Sequence, residues 1–243
     1  MPSAPLYPGH VPTGLVGKAL LAADAALRAI ADPREARMVG VVGEATGWRA
    51  LARMSDRMRR HPVGRAVLHD RPIISSATLP HERLRALPAD TLGGAYAVFL
   101  ERHRFDPDER SAVQFVDDEE LAYVMTRYRQ VHDLWHVLCD LPPSLLGEVA
   151  LKWLEVAQTG LPMCAAGAAA GGLRLPMAQR ALVARHAVPW AARHARGGAD
   201  LMSVYYEREL ERPLDALREE LRLELPPAAL RGGRGREEAD GET

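Results

Sequence analysis

Only two cysteines, Cys139 and Cys164, occur in the 243 residues, too few for a disulfide scaffold and in keeping with a reducing compartment. Neither sign of charge is in excess. With 31 Lys and Arg against 32 Asp and Glu, the formal net charge is −1, so nothing electrostatic calls for nucleic acid or an acidic surface as partner. Long apolar runs are missing as well: none reaches the roughly 18 to 20 residues that span a bilayer, and the chain reads as soluble or peripheral. It has no internal repeat, phosphate loop or nucleophile elbow. Its first residues, Met1 to Pro5, show neither a secretory core nor an arginine-rich leader. Strand signals are scarce, since only Arg71 to Thr78 could be extended, and one short segment builds no sheet.

What remains is helix. A hydrophobic fraction of 47% with 26% charged residues is ordinary for a globular protein, and the length fits one domain. The expected organisation is a flexible Pro/Gly-rich arm over 1–14, an all-α multi-helix bundle over 15–230, and a disordered tail over 231–243 that has nothing to bury. About eight helices are expected. Leu15 to Ala31 places Leu20, Leu21, Leu27 and Ile30 on a common side, and Arg34 to Glu44 is a second apolar-periodic segment. In Arg49 to Arg60, Leu51, Met54 and Met58 recur at helical spacing, while Arg53, Arg57 and Arg60 form a solvated basic face. Thr91 to Arg102, Met177 to His194 and Leu201 to Leu223 read as further helices, with Pro189 and Pro213 as kinks or breaks. The stretch Met163 to Gly172, almost wholly small residues, reads either as tightly packed helix or loop, or as one wall of a channel for a long apolar ligand.

The chemistry concentrates in Gln130-Val131-His132-Asp133-Leu134-Trp135-His136 and in Leu145-Leu146-Gly147-Glu148. On a helix capped by Asp117 or Asp118, with Leu121, Val124, Met125, Tyr128, Val131 and Trp135 as its apolar stripe, His132 and His136 stand one turn apart. Asp133 lies three residues before His136, so all three can share a face. Pro142 and Pro143 end that helix, and Ser144 is ready to cap a second one running to Thr159 and stopped by Gly160. Folding back at this turn leaves His136 and Glu148 each roughly 6 Å from it, at about 1.5 Å rise per residue. Two imidazoles and two carboxylates suit zinc, ferrous iron or manganese. A His-x-x-x-His pair alone is often accidental; Asp133 and Glu148 in register make it a ligand set. Cys139 reads as a buried apolar residue, and Glu155, one heptad after Glu148, as a solvated charge.

The run Phe115-Val116-Asp117-Asp118-Glu119-Glu120-Leu121-Ala122-Tyr123-Val124, then Arg127-Tyr128-Arg129, His132-Asp133-x-x-His136, eleven residues, Glu148, Lys152-Trp153 and Gln158-Thr159-Gly160-Leu161-Pro162-Met163 resembles the fourth Coq protein of ubiquinone (coenzyme Q) biosynthesis, animal type. The likeness extends from Leu6-Tyr7-Pro8 to Pro226-Pro227. In that family His-Asp-x-x-His-x11-Glu is the metal-binding signature, and it carries over to His132, Asp133, His136 and Glu148 without departure.

The resemblance implies C1 decarboxylation of a prenylated 4-hydroxybenzoate ring, 4-hydroxy-3-methoxy-5-polyprenylbenzoate, either simple or oxidative and coupled to hydroxylation, on a divalent metal with Zn2+ favoured over Fe2+ or Mn2+. Tyr128, Lys152 and Glu155 are candidates for the acid by position. The resemblance further implies an organising role among the other ubiquinone-biosynthesis enzymes, a homodimer, and peripheral attachment to the matrix side of the mitochondrial inner membrane through an apolar mouth. Because animal members carry a leader, the chain is expected to start near a mature end or to be incomplete. The rival is a non-catalytic lipid-binding scaffold with a structural metal. A metal phosphohydrolase built on His132-Asp133 lacks the further histidine and aspartate that such a site uses.

Overall fold

The computed structural model describes residues 4–31 and 36–231, and those residues form helices joined by turns and by two longer links, 104–118 and 198–213. In order they are α1 (Leu15–Ala31), α2 (Ala36–Thr46), α3 (Trp48–Arg60), α4 (Pro62–Asp70), α5 (His81–Arg85), α6 (Leu92–His103), α7 (Glu119–Cys139), α8 (Leu145–Thr159), α9 (Pro162–Arg174), α10 (Met177–Leu182), α11 (Val188–Gly197) and α12 (Leu214–Glu220). No strand occurs among the described residues, only a single bridge between Thr91 and Pro213. The fold is all-α, as expected. None of the described helices is long and apolar enough to cross a membrane.

The central element is α7, 21 residues long. Asp118 caps it, accepting from the Leu121 amide at 2.9 Å, and two acidic residues in its first turn suit the helix dipole. Val124, Met125, Tyr128, Val131 and Trp135 are buried, so the predicted stripe is the core face. It meets α3, whose Leu51, Met54 and Met58 are fully buried, and α6. Arg127 is buried on α7 too, pairing with Glu207 at 2.9 Å while Trp135 donates to the Tyr206 hydroxyl at 2.9 Å. These contacts hold the 204–207 segment against α7.

Some expectations need correction. Leu201 to Leu223 is not one helix: two single 3-10 turns, Leu201–Ser203 and Tyr206–Arg208, lead into a further turn, and the carbonyls of Leu210 and Arg212 accept from the amides of Gly93 and Leu92 at 2.8 and 2.9 Å. Capping the start of α6 this way satisfies amides that a helix cannot pair within itself, and only Leu214–Glu220 coils, after Pro213. The segment from Pro62 to Pro88, expected from sequence to be broken by its prolines, instead begins with a helix: Pro62 opens α4, since proline is tolerated at the first helical position. On α1, Leu20 and Leu27 are exposed and Ala25 is buried, so this helix packs through its small residues.

Pro189 neither breaks nor sharply ends its helix. It lacks an N–H, and the preceding turn Val183–Ala187 widens to the five-residue spacing, with the Val188 amide reaching the Val183 carbonyl. The arm before α1 is tied down where it is described: the Tyr7 hydroxyl donates to the Val116 carbonyl at 2.8 Å, and His10 meets Asp117 at 2.9 Å. Of the predicted disordered tail, all but Arg231 lies outside the described residues.

Candidate metal centre

The α7–α8 turn is built to bring two faces together. Asp140 takes the left-handed conformation, φ 51°, at the end of α7, and the Leu141 amide closes back on the His136 carbonyl at 3.0 Å. Ser144 then caps α8 from its hydroxyl, 3.3 Å from the Gly147 amide. The Pro142 carbonyl lies so close over Gly147 that any β-carbon there would overlap it. Glycine at 147 therefore permits the tight return that places Glu148 opposite α7.

The result is a convergence of three side chains. Ligand atoms of His132, His136 and Glu148 lie within 4.8 Å of one another. The Nε2 atoms of His136 and His132 stand 3.1 and 3.7 Å from the two Glu148 oxygens. His136 is almost wholly buried, whereas the Glu148 side chain is 34% exposed, so the cluster opens to solvent on the Glu148 side. Phe99 of α6 stacks on the His136 ring at 5.7 Å and closes the opposite flank.

Each imidazole is also held from behind. His136 Nδ1 faces the Leu141 carbonyl at 3.0 Å, and His132 Nδ1 faces a Glu155 oxygen at 2.6 Å. An acceptor at Nδ1 fixes the proton there and leaves the Nε2 lone pair for an ion, the usual arrangement around metal-bound histidine. The donor set fits a divalent cation: two imidazole nitrogens and one carboxylate, with room left for further ligands.

Asp133 does not join them. The Arg110 guanidinium binds its carboxylate and also donates to the Arg129 carbonyl, pinning α7 to the loop that follows Pro107–Glu109. Sequence reading placed Asp133 on the ligand face because it is three residues from His136. It is also adjacent to His132 and so about 100° around the helix from it, and there it pairs with the half-buried Arg110.

Glu155 is the second departure. It was expected in solvent, yet it is fully buried, with Tyr128 donating to it at 2.8 Å and Lys152 at 2.6 Å. Its heptad spacing from Glu148 and the i,i+3 spacing to Lys152 were the available signals; its other partners, Tyr128 and His132, lie on α7 and could not be seen locally. Arg110 and Phe99 had no sequence signal at all. Cys139 is buried and outside the cluster, as predicted, and Cys164 lies against the Tyr128 hydroxyl at 3.1 Å.

The electrostatics follow from this packing. Burial would raise the Glu148 carboxyl, but hydrogen bonds from both histidines hold it well below the usual range. Burial likewise opposes ionised Glu155, and the Lys152 charge with His132 brings it down to about 2. His132 is lowered by burial and by Lys152, yet Glu155 and Glu148 outweigh both and push it up to about 9. Burial disfavours the Lys152 ammonium, but Glu155 more than offsets this and holds it charged.

An all-α bundle with a two-histidine, one-carboxylate cluster at the junction of its two central helices defines the class. The particular family is given by comparison: residues 7–227 match the family described as Coenzyme Q (ubiquinone) biosynthesis protein Coq4, and the chain belongs to that family. It is 49% identical over 225 residues to the mitochondrial ubiquinone biosynthesis protein COQ4 homolog of Danio rerio, covering 93% of this chain and 83% of that one. With the human homolog, also named mitochondrial, it shares 45% over 230 residues, 95% of this chain and 87% of the other. A crystallised Nostoc punctiforme protein with a ubiquinone-biosynthesis description superposes with a TM-score of 0.64 at 20% identity, over 84% of this chain and 97% of that one, and so shares the fold.

Proposed function

We propose that this protein of ubiquinone biosynthesis is a metal-dependent enzyme that removes the C1 carboxylate of 4-hydroxy-3-methoxy-5-polyprenylbenzoate. The observation that carries the reading is the three-donor cluster of His132, His136 and Glu148, open on one side. A site with three protein ligands keeps positions for substrate, whereas structural sites are usually closed by four. A divalent ion held there, Zn2+ or else Fe2+ or Mn2+, would supply Lewis-acid polarisation and a fixed positive charge. Asp133, fourth in the signature, would act from behind through its pair with Arg110.

The protein's own groups suit an anionic substrate. Lys152, 20% exposed, offsets the charge of Glu155, and Glu148 alone remains to be neutralised by the ion, leaving net positive charge where a carboxylate or phenolate binds. Lys152 lies one turn after Glu148 and would orient that anion. Loss of CO2 requires a proton at the ring carbon in its place. Lys152, whose side chain keeps some exposure, is the candidate donor, because Tyr128 is buried. An oxidative course, with O2, a redox metal and a two-electron reductant supplied from outside the site, would place hydroxyl at the same carbon, the second oxygen atom leaving as water.

The rim supports entry from lipid. Leu145, one turn before Glu148, and Phe105, packed on Phe99 at 5.8 Å, are exposed, as are Leu173 and Met177 farther round. Exposed apolar residues beside a site mark a contact surface, and here they would bring the mouth to the matrix face of the mitochondrial inner membrane. Liposome flotation checks this: protein that stays at the bottom of the gradient refutes it.

Glu148→Ala tests the catalytic reading. A variant that folds and still co-purifies with the other pathway enzymes, while the carboxylated intermediate accumulates, supports catalysis. Loss of co-purification without accumulation supports the scaffold with a structural metal.

A further inference from the structure

We infer that Glu155 is a positioning residue for the metal centre, fixing the His132 ring from behind so that its Nε2 meets the ion. The inference rests on the metal reading above and adds a residue outside the His-Asp-x-x-His-x11-Glu signature. The argument begins with burial. A carboxylate with no task on α8 would face water; Glu155 is instead fully buried, which is unfavourable unless charge and hydrogen bonds compensate. Both of its oxygens are committed. One faces His132 Nδ1 at 2.6 Å, and the other receives the Tyr128 hydroxyl at 2.8 Å and the Lys152 ammonium at 2.6 Å.

The division of labour is directional. Lys152 neutralises the carboxylate and Tyr128 fills its remaining acceptor direction, so Glu155 is held still at the moment it holds the imidazole. His136 needs no such residue, because the Leu141 carbonyl of the turn serves its Nδ1 at 3.0 Å. The two rings, 4.8 Å apart and nearly perpendicular, are thus oriented by different devices, one main-chain and one side-chain. Only the second can be removed by substitution. Loss of such a partner usually costs about 10- to 100-fold in metal affinity.

The test is a double-mutant cycle on the full chain, with Zn2+ and Co2+ affinities measured by competition against a chromophoric chelator and the metal-free fold checked by circular dichroism. E155Q, which keeps the shape, is expected to weaken binding about 10- to 100-fold. In the H132A background the same change is expected to cost nothing further, because its effect runs through the ring. Y128F, which removes a donor to the other oxygen, is expected to stay within about threefold of wild type. Equal losses from E155Q with and without His132, or no loss from E155Q, overturn the inference while leaving the metal reading intact. Wild-type protein that binds neither ion overturns both. A readout without substitution is the 15N spectrum of the Zn2+-loaded wild type: His132 is expected to carry its proton on Nδ1 with a far-downfield resonance, and metal on Nδ1 would overturn the assignment.

Discussion

Asp133 is paired with Arg110 and stands apart from the cluster of His132, His136 and Glu148 that its neighbours form. The two residues are 23 positions apart in sequence, and their pair joins α7 to a loop that Arg129 also holds, donating to the Ser111 carbonyl at 3.2 Å. Removing one partner of a buried pair costs about 3–5 kcal/mol, because the other charge is left uncompensated. The Arg110 side chain is 26% exposed and that of Asp133 7%, so R110A, which strands the more buried carboxylate, is expected to cost about 3 kcal/mol in urea unfolding, and D133A, whose arginine can turn toward water, less; the double variant is expected to lose less than the sum of the two. Metal affinity of D133A is expected to fall far less than that of H136A; equal falls would return Asp133 to the ligand set.

The turn makes a sharper demand. A methyl group at position 147 would overlap the Pro142 carbonyl, and main chain cannot move aside without shifting Glu148 relative to the histidines. G147A is therefore expected to cost about 1–3 kcal/mol in stability through overpacking. It should also weaken metal binding at least tenfold, since ligand geometry tolerates only a fraction of an ångström. Chelator competition and thermal unfolding on the same sample separate the two effects. Unchanged affinity would mean that the return of α8 is not what sets the site.

Metal uptake should depend on pH in a defined direction. His132 is pushed up to about 9 between Glu148 and Glu155, so near neutral pH the metal-free ring holds a proton that an ion must displace. Affinity is expected to rise about tenfold per pH unit from 7 to 9 and then level. The same shift acts oppositely on the metal-free fold. A raised histidine contributes stability that is fully present below about 6.5 and lost as pH rises through about 9. Calorimetric titration in buffers of different ionisation enthalpy measures the released proton, and a flat affinity from pH 7 to 9 would refute this.

How far the sequence could be read depends on where each residue's partner lies. Leu145–Thr159, with Ser144 before it and Gly160 in the left-handed region after it, follows the predicted bounds because caps and stops are local. Leu51, Met54 and Met58 were legible for the same reason, as period and burial coincide. Leu201 to Leu223 was misread because its main chain pairs with the start of α6, more than a hundred residues earlier, and periodicity carries no record of that. The site divides likewise. The convergence of His132, His136 and Glu148 was legible through helix geometry across one turn. Glu155 and Asp133 were misplaced because Tyr128 and His132 in one case, and Arg110 in the other, reach them from other segments, and a charged residue reads as solvated until its partner is seen.

Arg127 gives the clearest stability test. Its guanidinium is fully buried, whereas the Glu207 side chain is 15% exposed, so the two partners are not equivalent when one is removed. After R127A the remaining carboxylate can turn toward water, although the lost side chain leaves space behind. After E207A the guanidinium stays where water cannot follow, with only the Val204 carbonyl at 3.3 Å and the Tyr206 ring at 5.6 Å as company. E207A is therefore expected to lose about 3–5 kcal/mol, a fall in thermal midpoint of about 10 °C for a domain of this size. Because the desolvation of the pair offsets most of its attraction, R127M/E207L is expected to regain most of that loss, replacing two buried charges by apolar volume. A double variant as unstable as E207A would show that the 204–207 segment needs the ion pair itself to stay on α7.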